Sequence, residues 1–185
     1  MPNKYPIIAA VRTMPELKAA LVSKVSTIFL LNANILSINA ILKKANELDK
    51  QIYVHIDLAE GIGKDAAGLE YLAKQGLSGV ISTKNSIIRQ AMEFDLKTIQ
   101  RLFVLDSQSL TSGMGSLAAN HPDYIEIMPG IVTKAIKAIC ESGVAPVIAG
   151  GLIETQQEVK IALSAGAAAV STSKAALWNM ELETL

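Results

Sequence analysis

The sequence predicts an α/β protein, and within that class a compact, closed (β/α)8 barrel of parallel strands. Two observations carry the prediction. Eight short runs rich in Ile, Val, Leu or Phe alternate with segments of helical periodicity from one end of the chain to the other. The core material is aliphatic: half of the 185 residues are hydrophobic but only 4% are aromatic. Such a core suits parallel strands buried under helices better than a sandwich built on large aromatic anchors. The length fits one domain with a substantial core. That domain is expected over residues 1–185, with a structured part from about residue 6 to residue 178.

Taken in order, the strands are expected at Pro6–Val11, Thr27–Asn32, Gln51–Asp57, Gly79–Thr83, Gln100–Asp106, Tyr124–Met128, Ala145–Ala149 and Ala168–Ser171. Between them, Ile35, Ile38, Ile41, Leu42, Ala45 and Leu48 recur at helical spacing with Lys43, Lys44 and Glu47 interleaved. Ile131, Ala135, Ile136 and Ile139 mark another helix after Pro129-Gly130. Thr155 with Glu158 reads as a capping box for a helix ending at Ala165-Gly166. Gly76, Gly143 and Gly166 each stop a helix shortly before the next strand. Eight strand–helix units point to a closed TIM-type barrel. An open doubly wound sheet would place a glycine-rich turn after its first strand, whereas Val11-Arg-Thr-Met-Pro15 has no glycine. The connections must be short. The exception is Ser107–Asp123, rich in Ser, Gly and Asn, which is expected as a loop with at most a short irregular helix and as a mobile lid.

Composition narrows the function. Cys140 is the only cysteine, which excludes an internal disulfide or a zinc framework and fits a reducing compartment. Following Ile136 and Ile139, it reads as a small hydrophobe on a helix. There is no secretory signal pattern and no apolar run of membrane-spanning length, so a cytoplasmic protein is expected. The formal net charge is zero and Lys43-Lys44 is the only adjacent basic pair, so composition lends no support to a nucleic-acid surface.

The chemistry is expected at the C-terminal ends of the strands, where β/α barrels carry their working residues. Reading those positions gives Arg12, Asn32, Asp57, Lys84, Asp106, Glu126, Gly150-Gly151 and Ser171-Thr172-Ser173. Glycines let backbone N–H groups approach an anion, and hydroxyls with the free amides of a helix start complete a cradle. Gly150, Gly151, Ser171, Thr172 and Ser173 are therefore expected to hold a phosphate group. The alternative is that the glycines make a tight turn and the serines cap a helix. Lys84 is either a Schiff-base nucleophile, a cation facing the ligand or a surface lysine. Arg12 suits phosphate or carboxylate. His55 and Asp57 lie two apart on an expected strand, hence on one face, as an acid–base couple or as wall and ligand contacts. Asp106 and Glu126 are either acceptors for a polyol or paired structural carboxylates. His121 is the only other histidine and no metal-binding spacing is present, so no metal is expected. The pocket so described fits a small phosphorylated polyol.

The motifs Gln100-Arg-Leu-Phe-Val-Leu-Asp-Ser107, Pro122-Asp-Tyr-Ile-Glu-Ile-Met-Pro-Gly130, Ile148-Ala-Gly-Gly-Leu-Ile153 and Ala169-Val-Ser-Thr-Ser173 through Trp178 resemble the bacterial glycerol uptake operon antiterminator regulatory family. Val54-His-Ile-Asp-Leu58, Gly79-Val-Ile-Ser-Thr-Lys84 and Gly61 with Asp65 and Gly68-Leu69 fit the same pattern. The resemblance covers nearly the whole chain. It implies a glycerol 3-phosphate-responsive regulator that binds leader mRNA of glycerol-utilisation genes and prevents premature termination. It assigns no catalytic residue and no cofactor, and a homo-oligomer is compatible with it. Ligand-dependent ordering of Ser107–Asp123 is the expected switch. The competing expectation is a barrel enzyme of aldolase, isomerase or prenyltransferase type acting on a phosphorylated three-carbon compound.

Overall fold

The computed structural model describes residues 5–181; the ends of the expected domain, residues 1–4 and 182–185, lie outside the described residues. Eight parallel strands close on themselves in sequence order, with β1 (Ile7–Val11) hydrogen-bonded to both β2 (Thr27–Leu30) and β8 (Ala169–Thr172). Between them run β3 (Gln51–His55), β4 (Gly79–Ser82), β5 (Lys97–Phe103), β6 (Tyr124–Met128) and β7 (Val147–Gly150). The fold is a TIM-type (β/α)8 barrel.

Side chains alternate between two apolar layers. Ile8, Phe29, Leu31, Tyr53, Ile81, Ile99, Ile148 and Ala169 fill the barrel interior, with Phe29 and Tyr53 edge to face at 5.9 Å. The alternate residues, among them Ile7, Ile28, Val54, Val80 and Val170, pack outward under the helices. Parity fixes what points toward the axis near the C-terminal end: His55 follows Tyr53, Arg101 follows Ile99, Glu126 follows Tyr124, and Ser171 follows Ala169.

The helices are α1 (Met14–Leu21), α2 (Ile38–Asn46), α3 (Ala66–Lys74), α4 (Asn85–Met92), α5 (Ser107–Asn120), α6 (Thr133–Glu141) and α7 (Gln156–Ser164). The Thr155–Glu158 capping box forms as expected, and Thr13 with Glu16 makes a second one at α1. Gly76, Gly143 and Gly166 have positive φ. Ile35, Leu48 and Ile131 fall outside the helices to which their spacing assigned them and are more than a third exposed.

Three expectations need correction. Ser107–Asp123 is not a loop: α5 is the longest helix described, with 14 residues. Its Ser and Gly content concealed a strong start, in which Asp106 accepts from the Ser109 N–H and Ser109 Oγ accepts from the Asp106 N–H. Strand β5 lies three residues earlier than expected. It opens on Lys97 and Thr98, which look too polar for a buried strand. Asp123 accounts for both, pairing with Lys97 Nζ at 2.7 Å and accepting from Thr98 N–H and Oγ1. Strand β3 ends at His55, and Asp57 sits in a 3₁₀ turn (Ile56–Leu58), so the two do not share a strand face.

Among the described residues, β8 is followed by a three-residue 3₁₀ turn, Ala175–Leu177. Trp178, fully buried, anchors that end by donating from Nε1 to the Thr172 carbonyl at 2.9 Å. Among the described residues no helix is long and apolar enough to cross a membrane.

Candidate functional site

A cavity of about 470 Å³ opens at the C-terminal rim, walled by β1, β2, β5, β6, β7 and β8 and the loops after them. Its floor is a buried polar chain. Arg101, 9% exposed, donates from Nε to Glu126 Oε2 at 2.7 Å, and Ser171 Oγ donates to Glu126 Oε1 at 2.7 Å. Arg101 and Glu126 are register partners on adjacent strands, so the pairing follows directly from strand parity. Gly150 makes room for it: a Cβ there would stand 2.5 Å from Glu126 Oε1 and 2.6 Å from Ser171 Oγ.

The loop after β7 forms one wall. Gly151 and Leu152 both have left-handed backbone, φ 75° and 58°. For Leu152 that conformation costs on the order of 1–2 kcal/mol, and such cost concentrates where a loop must present its backbone to a ligand. Gly130 fixes the loop from below, donating its N–H to the Gly150 carbonyl at 2.6 Å. Thr172 fixes it from the side, donating from Oγ1 to the Ile153 carbonyl at 2.7 Å. Ser173 is exposed at the mouth, and among the described residues its hydroxyl makes no protein hydrogen bond. A 3₁₀ turn rather than an α-helix follows, so this wall offers backbone and hydroxyl groups and no helix dipole.

The charges in the wall do not cancel evenly. Glu126 is occupied by Arg101, and Glu154 is paired with Lys174 at 2.9 Å. Arg12, just after β1 and so beside β8, makes no close ion pair among the described residues, although its backbone N–H is held by Glu16 Oε2 and that bond, with the guanidinium charge, lowers the Glu16 carboxyl pKa. The remaining lining, including Leu31, Phe103, Met128 and cis-linked Pro129, is apolar.

Of the residues singled out from the sequence, the cavity brings together Arg12, Glu126, Gly151, Ser171, Thr172 and Ser173, with Gly150 directly behind. Five others stand elsewhere. Asn32 is exposed and Asp106 caps α5. Lys84 is the exposed residue preceding α4 and does not line the cavity. Asp57 serves the rim's architecture: it accepts from Ser82 Oγ at 2.7 Å and from Thr83 N–H at 2.8 Å. Burial works to raise its carboxyl, but the neighbouring His55 ring and the Thr83 and Ser82 donors hold it well below the usual carboxylate range. His55 is 5% exposed, with Nε2 3.6 Å from Asp57 Oδ2, and neither ring nitrogen has a hydrogen-bond partner within the protein.

Sequence reasoning missed Arg101. Its signal was present, since a charged residue inside Ile99–Phe103 must be paired to be buried, and its inward parity matches that of Glu126. Among the described residues no group of three or more His, Cys, Asp or Glu is placed to hold a metal ion.

Comparison with known proteins completes the site. Residues 7–178 match the family model described as glycerol-3-phosphate responsive antiterminator. The uncharacterized protein YgcP of Escherichia coli (strain K12) is 34% identical over 184 residues, 99% of this chain and 96% of YgcP. A glycerol uptake operon antiterminator regulatory protein from Listeria monocytogenes superposes with a TM-score of 0.89 at 31% identity, covering 95% of this chain and 96% of that one. A glycerol uptake operon antiterminator-related protein from Thermotoga maritima gives a TM-score of 0.85 at 29% identity, with 95% and 99% covered.

Proposed function

The chain belongs to the glycerol-3-phosphate responsive antiterminator family, and on that premise we propose that it senses glycerol 3-phosphate in the rim cavity and acts on leader mRNA of glycerol-utilisation genes. One observation carries the ligand assignment: both carboxylates in the cavity wall are already paired while Arg12 is not. An incoming phosphate therefore meets the Arg12 guanidinium, which makes no close ion pair among the described residues, the backbone of Gly151 and Leu152 and the hydroxyl of Ser173. Phosphate is recognised by such sets of N–H donors and guanidinium.

The glycerol moiety then lies toward Arg101, Glu126 and Ser171. Glu126 accepts hydrogen bonds and Arg101 donates them, which matches hydroxyl groups that do both. The volume is at the low end of the about 300–1,000 Å³ common for small-molecule sites. Asn32, His55, Asp57, Lys84 and Asp106 are not among the lining residues and take no direct part in this reading. A Schiff-base enzyme needs a lysine at the ligand, and none is among the cavity's lining residues, so the lining does not support the Schiff-base aldolase reading.

The RNA half of the proposal is tested by filter retention of a leader hairpin. Retention is expected to rise with glycerol 3-phosphate and to fall as salt is added, because phosphate contacts release counterions. Retention unchanged by the ligand at every salt concentration contradicts it.

A further inference from the structure

Water-facing loops are ordinarily polar, but this barrel carries its exposed apolar residues at one end. Among the described residues, eight of the eleven large hydrophobics that are exposed lie at or just after the C-terminal ends of β1, β2, β3, β5, β6 and β7. The three others, Val22, Leu48 and Ile161, are scattered over the opposite end and a helix flank. Leu36 at 92% exposure, Leu105 at 85% and Leu152 at 64% are the most prominent of the rim set. Apolar surface concentrated in this way marks an interaction site.

The loops that carry these residues are held, so the side chains are presented rather than left loose. Leu36 N–H is bound by Asn34 Oδ1 at 2.9 Å. That loop is bridged to the next one, where Leu58 follows β3, through Ile35 N–H to the Glu60 carbonyl at 3.0 Å and Glu60 N–H to the Ala33 carbonyl at 2.8 Å. Leu105 N–H is bound by Ser109 Oγ at 2.9 Å.

We propose that the C-terminal rim is a self-association face, on which a second copy of this chain seats and closes over the cavity mouth. Area and charge select the occupant. From their fractional exposures the rim hydrophobics offer roughly 800 Å² of apolar side chain, about what one partner contributes to a standard-size interface. RNA is disfavoured on this face, because it requires phosphate-neutralising cations and stacking platforms, and Phe103 is the only aromatic residue in the set. A copy of the chain brings no net charge of its own. The rim also carries both signs, Arg12 and Lys84 with Asp106 and Glu154, as an isologous contact requires to complement itself. Where the cavity holds glycerol 3-phosphate as proposed above, a copy seated over it links ligand occupancy to association, because each stabilises the state the other prefers.

Sedimentation equilibrium of the full chain tests this, in the presence and absence of glycerol 3-phosphate. The wild type is expected at twice the chain mass, and the double variant Leu36→Glu/Leu105→Glu at the single mass while still folding with a cooperative thermal transition, since neither side chain is in the monomer's core and neither lines the cavity. Val22→Glu, at the other end of the barrel, is expected to leave the dimer intact. A wild type at single mass under both conditions overturns the proposal, as does a rim variant that stays dimeric, or a dimer broken by Val22→Glu and not by the rim pair. Calorimetric binding of glycerol 3-phosphate to the same samples separates the two readings. Ligand binding by a monomeric wild type refutes the interface alone, whereas a rim-dependent dimer without ligand binding refutes the ligand alone.

Discussion

Glu126 receives two hydrogen bonds in a place where water is almost excluded, and its value to the fold depends on Arg101 staying beside it. Removing one member of a buried pair strands the other. Arg101→Met is therefore expected to lower stability by about 3–5 kcal/mol, and Arg101→Met combined with Glu126→Gln to recover much of that loss; thermal and urea denaturation check both. A double variant no more stable than Arg101→Met alone contradicts the assignment. Asp57 makes a second prediction. Its folded-state value is depressed, so its contribution is present in full above the unfolded-chain value of about 3.9 and is lost as pH falls toward the folded value. Asp57→Asn is expected to cost about 1–3 kcal/mol at neutral pH, and the gap to wild type to narrow below about pH 4. Urea denaturation across pH 3 to 7 reads it out, and a gap constant over that range contradicts it. At this scale the sequence was informative where a polar residue ends a strand that opens on the cavity, as for Ser171 and Glu126. It was silent where a polar residue braces a neighbouring strand end, as Asp57 does for Ser82 and Thr83, or caps a helix, as Asp106 does, because cap, brace and cavity residues look alike until the strand end is known.

The elements were legible where apolar periodicity or a cap marks them. Strand β6 coincides with its expected span, and α7 begins at the expected Thr155. The failures share one cause, polar residues satisfied by partners that hydrophobic periodicity does not show, whether tertiary or in a local cap. Lys97 and Thr98 open β5 because Asp123 holds them, and α5 forms despite its Ser and Gly content because its first turn is capped and its Gly113 lets the helix lie against Leu102. The structure thus places a 14-residue helix where a loop was expected. Asp106→Ala removes that cap and is expected to lower stability by about 1 kcal/mol, with glycerol 3-phosphate affinity within a factor of about two of wild type because the side chain is outside the cavity. Circular dichroism melts and calorimetry measure the two effects. A loss of affinity with no loss of stability would return Asp106 to the ligand.

At the scale of the molecule, an all-parallel barrel gathers residues from six strands at one rim, which is why polar residues separated by some 160 positions meet in one cavity. The sequence displayed the barrel class in eight alternating strand–helix units, and the rim in apolar strands ending in polar residues. It did not display the apolar character of the same rim, because Leu36, Leu105 and Leu152 read as ordinary core residues until the loops that expose them are known. The central claim is that this rim recognises glycerol 3-phosphate. Calorimetric titration with that compound, against glycerol and inorganic phosphate separately, tests it most directly. Saturable binding tighter than either control is expected. It should weaken at least tenfold in Gly151→Asp, where a carboxylate would repel the phosphate, and stay unchanged in Lys84→Ala. Folded protein that binds no glycerol 3-phosphate, or a Gly151→Asp variant that binds it as the wild type does, contradicts the account.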